Sequence, residues 1–400
     1  MAADTPVRRR LVCYIGGFDP QGPAHYHQLY ATEAARQAAV SGHEISVGRR
    51  QRLGEHIAGW EVDARIDGQS VRTRYEFLRW DDIVRARWPR SRWALLRTTL
   101  WASWQCWRDG VMWYSWRRSW PAFLALAGPG LAMLIWVLLL GVVGVLAAGL
   151  WGAGWPLATG LWLLLAVPGL VALGVEAERR TQMAWLMRSL ACLVRQGRGQ
   201  TPELEARLDH FAAHLAAALQ DPAHDEVLLV GHSSGAMLAV SVAARALAQV
   251  PAGAAARLSL MTLGQCGATL SQQPQAQAYR DELVAVGSSA QLHWLDVSAP
   301  ADGCCYALVD PCEGLPLPPG SPGAKRLNPR FAQLFTPASY ERIRHDKYRC
   351  HFQYLMASEV VGEYDYFAIT AGPRSLQERF AHRDGVADFR QFECFGGIRR

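Results

Sequence analysis

The chain has 400 residues, 50% of them hydrophobic and 19% charged, with 36 Gly, 21 Pro, 9 Cys and a formal net charge of +6. That balance excludes a disordered chain, a collagen-like repeat and a small disulfide-built scaffold, and it leaves room for a large core. The excess charge is local: from Arg85 to Trp120 eight arginines face one acid, Asp109, and eight of the 16 tryptophans share this window. The charge therefore does not describe a nucleic-acid-binding globule.

At the N-terminus three arginines precede a short apolar run, LVCYI (Leu11 to Ile15), which ends in Gly16-Gly17-Phe18-Asp19-Pro20. The run is too short for the core of a secretory signal and reads as a buried strand. An Ala-rich helix is predicted over Tyr30 to Val40, then a strand over His43 to Arg49. An alternating hairpin follows, WEVDARI and QSVRTRYEFL, whose Asp67-Gly68 pair suits a type I′ turn. His25 and His27 form an HxH pair without neighbouring carboxylate ligands, so no metal is expected there.

Ser91 can cap a helix in which Trp93, Leu96, Leu100, Trp104, Trp107 and Val111 recur at spacings of three and four. Trp and Arg together suit a bilayer interface, with indoles at headgroup level and guanidinium groups near lipid phosphate, so residues 85–120 read as an amphipathic segment lying on a membrane. Between Arg118 and Glu176 the chain runs 57 residues without a charge. A bilayer core roughly 30 Å thick takes about 20 apolar residues per helix, so two spans fit, near Ala122 to Ala147 and Pro156 to Val175. From Glu176 to Arg198 there are five arginines and two acids. Both flanks of the hairpin are thus positive and are expected in the cytoplasm, which makes the protein a multi-pass component of the inner (cytoplasmic) membrane. The nine cysteines are odd in number and lack a CxxC pair, as reduced thiols would be; no metal or cofactor is expected.

Beyond the hairpin the chain alternates: a helix over Pro202 to Gln220, a strand over Glu226 to Val230, a helix over Ala236 to Leu247, and strands over Leu258 to Leu263 and Leu292 to Val297. A Pro- and Gly-rich loop covers Asp310 to Pro329. Such alternation predicts an α/β fold with a mostly parallel sheet and helices on both faces. Residues 1–84 and 177–400 then supply the two parts of one domain, and the hairpin, residues 121–176, is an insertion. An even number of spans leaves both parts on one side of the membrane.

The most informative motif is GHSSG, Gly231 to Gly235, set directly between the strand EVLLV and an Ala-rich helix. A strand-to-helix turn this sharp needs small residues two before and two after its central residue, and only Ser233 has Gly at both offsets. Its hydroxyl would stand above the C-terminal edge of the sheet, at a helix N-terminus.

With these features the chain resembles the α/β-hydrolase superfamily of serine esterases and lipases. The resemblance implies a Ser, Asp or Glu, His triad in that chain order, with the acid after the second strand beyond the elbow. Asp302, just past LHWLDV, is the first candidate, with Asp296 and Asp310 as alternatives. His351, in YRCHFQYLMAS, is the first candidate base, with His345 second; His293 precedes the acid and His382 is the remaining histidine. His232 is expected to shape the site rather than move protons. The oxyanion donors implied are the backbone N–H of Ser234 and that of Gly17 or Phe18. The chain departs from the family pattern in having this strand so near the N-terminus and in the hairpin around Asp67, which leaves the strand order open. The function expected is a membrane-anchored serine hydrolase acting on a small amphiphilic acyl substrate, a lipid-like ester or a thioester. The alternative is a catalytically inactive membrane scaffold or regulator on the same fold. The expected partners are the lipid bilayer and that substrate, with no nucleic acid.

Overall fold

A computed structural model describes residues 6–386 together with 392–393 and 397–398. In chain order its main elements are β1 (Arg9–Ile15), α1 (Pro23–Ser41), β2 (Glu44–Val47), β3 (Gln51–Arg52), β4 (Ile57–Ile66), β5 (Gln69–Leu78), α2 (Asp81–Ala86), α3 (Arg92–Arg108), α4 (Val111–Arg118), α5 (Trp120–Gly152), α6 (Pro156–Thr181), α7 (Met183–Gly197), α8 (Pro202–Gln220), β6 (Glu226–His232), α9 (Ser234–Leu247), β7 (Leu258–Leu263), β8 (His293–Val297) and β9 (Lys325–Leu327). The strands form one sheet in the order β2-β4-β5-β1-β6-β7-β8-β9, with β3 added beside β4. From β5 to β9 every neighbouring pair is parallel, and the β2, β3 and β4 pairings are antiparallel.

The two halves of the sheet show their environments in their sequences. In β1, β6 and β7 nearly every residue is buried, as expected where helices cover both faces. Leu11, Cys13 and Ile15 pack with Val227 and Leu229 against α8 and α9, whereas Val12, Tyr14, Leu228 and Val230 face α1 and the helix Tyr366–Ala371 on the opposite side. The outer hairpin β4–β5 alternates buried and exposed positions toward its tip, where Asp67 (φ 53°) and Gly68 (φ 76°) both adopt the left-handed conformation that a type I′ turn requires.

The segments before and after the apolar hairpin meet at the centre of this sheet, where β1 pairs with β6. Arg10 locks the junction. Its Nε donates to Glu226 Oε2 at 2.7 Å, and its two terminal nitrogens donate to the carbonyls of Gly372 and Arg374. Glu226 Oε1 in turn accepts from Ser259 Oγ and the Leu376 backbone N–H. With all three guanidinium nitrogens and both carboxylate oxygens engaged, this ion pair can be held out of water.

Two expectations need correction. The interfacial segment is not one helix: Gly110, at φ 78°, breaks it into α3 and α4, because a left-handed residue cannot continue a right-handed helix. Ser91 does cap α3, its Oγ accepting from the Ala94 N–H, and Trp93, Leu100, Trp104 and Trp107 are exposed along one side, but Val111 is buried. The loop from Asp310 to Pro329 also contains an edge strand, β9, whose three residues are too few to give a periodic signal. Helices α5 and α6 are long and apolar enough to cross a membrane, and most of their large apolar side chains are exposed.

Replacing Arg10 with Leu should leave Glu226 buried and unpaired and destabilise the fold by about 3 to 5 kcal/mol. A chemical denaturation midpoint of the detergent-solubilised protein that does not move would contradict this account of the junction.

Candidate active site

Ser233 occupies the turn between β6 and α9 with φ 59° and ψ −127°, a conformation that a residue with a side chain holds only under constraint from its surroundings. The constraint comes from close packing. A Cβ on Gly235 would stand 2.2 Å from the Ile15 carbonyl oxygen, and one on Gly231 would stand 2.5 Å from the Gly235 carbonyl oxygen. Only glycine lets α9 lie this tightly against β1 and β6. The turn is further fixed by the Ser233 N–H, which donates to the Leu263 carbonyl at 2.8 Å.

The loop after β1 lies against the same turn. A Cβ on Gly17 would come within 2.9 Å of the Ser233 Cβ, so the Gly17 backbone touches the serine side chain. Trp80 Nε1 donates to the Gly16 carbonyl at 2.9 Å, which turns the N–H of the same trans peptide, that of Gly17, the opposite way. Trp185 Nε1, on α7, donates to the Phe18 carbonyl at 2.7 Å, and the Phe18 ring is stacked on Trp88. Two indoles and one stack thus hold the loop that carries Gly17 and Phe18, and the N-terminus of α9 begins at Ser234.

Asp302 and His351 are 49 residues apart in sequence and paired in the interior. The Nδ1 of His351 lies 2.8 Å from Asp302 Oδ2, with both side chains essentially inaccessible. A carboxylate only accepts, so Nδ1 carries the proton and Nε2 is left as an acceptor. Burial alone would push the Asp302 carboxyl up, but the electrostatic attraction of the His351 imidazole and its hydrogen bond outweigh it. With the Cys304 N–H and the Tyr354 hydroxyl added, the group is held below its usual range. His351 Nε2 is buried and has no hydrogen-bond partner among the described residues. Its ring lies 6.0 Å from Trp185, which with Ser233 and Cys304 lines one cavity, so the unpartnered nitrogen and the serine hydroxyl belong to one locality. Donor and acceptor of this kind often close up only when substrate is bound.

The remaining candidates have other attachments. Asp296 lies inside β8 and accepts from Thr262 Oγ1 at 2.6 Å; burial pushes its carboxyl up to about 7. Asp310 accepts from the Cys312 N–H in a turn. His345 pairs with Glu341 and His382 with Glu363, both on the surface, and His293 opens β8. His232 is held nearly always neutral, at about 3, by burial and by the neighbouring His351; its Nε2 reaches the His351 carbonyl at 2.8 Å and so fixes the backbone of that residue. His27 reaches the Gly48 carbonyl, and His25 stands edge-on to Tyr26. Sequence reasoning did not find Trp185 or Tyr354: a Trp in a basic helix and a Tyr in an apolar run carry no motif, and their roles arise from contacts across the fold.

Among the described residues, two trios of side chains bring potential metal donors within 4.8 Å of one another, Cys13 with Glu76 and His214, and Asp302 with Cys304 and His351. In the first, the Arg74 guanidinium already occupies Glu76 at 2.8 Å, putting a fixed positive charge where a cation would sit. In the second, Asp302 and His351 use their facing atoms on each other. Burial pushes the Cys13 and Cys304 thiols up, away from the thiolate that binds metal. The donor chemistry thus fits neither trio to a cation.

Asp296 yields a pH prediction. In the folded state it keeps a proton that the unfolded chain releases near 3.8, so stability falls as pH rises from there and levels out above about 7. Asp296→Asn keeps the Thr262 bond without the ionisation, and should gain on the order of 2 to 4 kcal/mol relative to the parent between pH 5 and pH 8. Melting curves at the two pH values that differ by the same amount for both proteins would refute this. No family model, curated protein or solved structure matches the chain.

Proposed function

We propose that the protein is a membrane-anchored serine hydrolase of the α/β-hydrolase type. The observation that carries the reading is the strained Ser233 at a strand-to-helix turn, beside a buried Asp302–His351 pair at the same C-terminal edge of a parallel sheet. In the proposed cycle His351 Nε2 accepts the Ser233 proton as Oγ adds to an acyl carbonyl. The oxyanion formed takes hydrogen bonds from the Ser234 N–H and from the N–H of Gly17 or Phe18. His351 then gives its proton to the leaving alcohol or thiol, the carbonyl re-forms as an acyl-serine, and water repeats the sequence to release the acid. Asp302, kept ionised, stabilises the imidazolium through Nδ1.

The anchor in this reading is α5 with α6. Their exposed apolar surface supports a place in the bilayer, and the exposed Trp93, Trp104, Trp107, Trp113 and Trp116 beside the arginines of α3 and α4 support an interfacial rim. Positive flanks on both sides of the hairpin favour a hydrolase domain on the cytoplasmic side. A substrate with a lipid-like acyl group follows from that position.

A fluorophosphonate probe should label the detergent-solubilised protein and fail to label Ser233→Ala, and Asp302→Asn should lower ester turnover by about 10⁴-fold. Equal labelling of the parent and Ser233→Ala, or none of either, would overturn the assignment. Reporter fusions at Gly152 and at the C-terminus should report opposite sides of the membrane; the same side for both would overturn the two-span arrangement.

A further inference from the structure

A second cleft lies beside the helix that carries His351, bounded by α1, by the helices Pro337–His345 and Lys347–Phe352, and by the stretch from Ala357 to Glu359. Its free volume is about 390 Å³, within the range of roughly 300 to 1,000 Å³ that small organic ligands occupy. Arg349, on its wall, is two residues from His351 and so about 200° around the helix axis. The cleft is therefore on the side of that helix away from the imidazole.

The walls bring together three arginines and three acids, and their formal charges balance. What distinguishes the cleft is spare hydrogen-bonding capacity. Glu33 accepts from Arg36 Nη1 at 2.7 Å and from the Ala357 N–H at 2.9 Å. Asp346 accepts from the Arg349 backbone N–H, capping that helix, and Glu359 accepts from the N–H and the hydroxyl of Thr336. Each acid thus has a donor from the protein itself. The guanidinium groups are less well served among the described residues. Arg36 uses only Nη1, on Glu33, and Arg342 only Nη2, on Ser339 Oγ at 3.0 Å. The partly buried Arg349 guanidinium donates to no oxygen; its Nη1 is set against the Met356 sulfur, a weak acceptor. Burial outweighs the attraction of Glu33 and Asp346, so this group is held below its usual range while remaining charged.

The cleft therefore offers guanidinium N–H groups in excess of the oxygens that receive them, and the buried Phe335 and Ile343 supply an apolar part of the lining. A guanidinium fork matches the oxygens of a phosphate or a carboxylate. Three forks that reach one cleft from three helices suit the tetrahedral oxygens of phosphate better than the two coplanar oxygens of a carboxylate. We propose that this cleft binds a phosphate monoester with a small apolar or aromatic organic part, its phosphate oxygens held by Arg349, Arg342 and Arg36 and its organic part against Phe335 and Ile343. The site does not depend on Ser233 being a nucleophile. An occupant bears on the helix that carries His351 without entering the cavity at Ser233.

The test uses the full chain, with phenyl phosphate as the soluble probe in detergent micelles and phosphatidic acid in nanodiscs as the lipid one. Arginine modification by phenylglyoxal, mapped by mass spectrometry, reads the site on the parent protein and needs no variant to fold. Phenyl phosphate should protect Arg349 and leave Arg65, exposed on β4, reactive. Protection by phenyl phosphate assigns the site to a soluble ester. Protection by phosphatidic acid nanodiscs alone, relative to phosphatidylcholine nanodiscs, assigns it to a lipid headgroup. Protection of Arg349 by neither overturns the proposal, and so does equal protection by benzoate at the same concentration. Arg349→Gln should weaken binding of the effective probe at least about ten-fold, with the melting temperature of the free protein unchanged. Undiminished binding to that variant would also overturn the site.

Discussion

The site depends on how closely α9 lies against β1 and β6. Gly235 backs onto the Ile15 carbonyl, and Gly231 onto the Gly235 carbonyl, at distances no Cβ could share. That approach forces Ser233 into positive φ and lifts its side chain out of the turn. The same approach brings the Gly16-Gly17 loop against the serine, so the proposed nucleophile and the proposed oxyanion donors are set by one packing contact. Strain at a single residue is tolerable because fully buried elements surround it: β6 and β7 are inaccessible along their whole length, and α9 is buried over most of its surface.

The second requirement is that two distant stretches of chain share one sheet. β1 and β6 are neighbours although more than 200 residues separate them, and the apolar hairpin lies wholly within the connection. Closing so long a loop costs little more entropy than closing a moderate one, since the cost rises only with the logarithm of length. The buried Arg10–Glu226 pair secures the junction and extends it to β7 and the segment near Leu376. The base of α5 and the stretch Trp185 to Leu193 of α7 line the cavity at Ser233, so the hairpin and the helix that follows it contribute walls to that cavity rather than hanging from the domain as an appendage. Tyr114 and Arg118 of α4 both reach Glu313, and Ser115 reaches Tyr306, which fastens the interfacial helices to the segment that follows Asp302.

Much of this was legible in the residues. The five-residue run EVLLV, the glycines around Ser233, the Asp67-Gly68 turn and the 57 uncharged residues each carry a local requirement that one type of structure meets. The elements least visible were those with no period or with a competing one. Lys325–Leu327 is three residues long and pairs only with β8, and the tryptophan pattern of the interfacial segment ran on through Gly110 without registering the break there. The candidate acid and base were legible as a ranked short list, because chain order confines them to the region after Ser233 and their places after the strand LHWLDV and before a late helix put Asp302 and His351 first, but what each side chain faces was not legible.

The sequence by itself determined what is local: which segments are strands and helices, where the turn demands glycine, and which stretch is apolar enough for lipid. Only the tertiary structure decided what is paired at a distance. Asp302 is distinguished from Asp296 by facing His351 instead of Thr262, and His351 from His345 by lying under Trp185 instead of on the surface. These choices belong to side chains that approach from separate elements, and the energy of a buried hydrogen bond depends on the partner that packing supplies rather than on the residue's own neighbours in the chain.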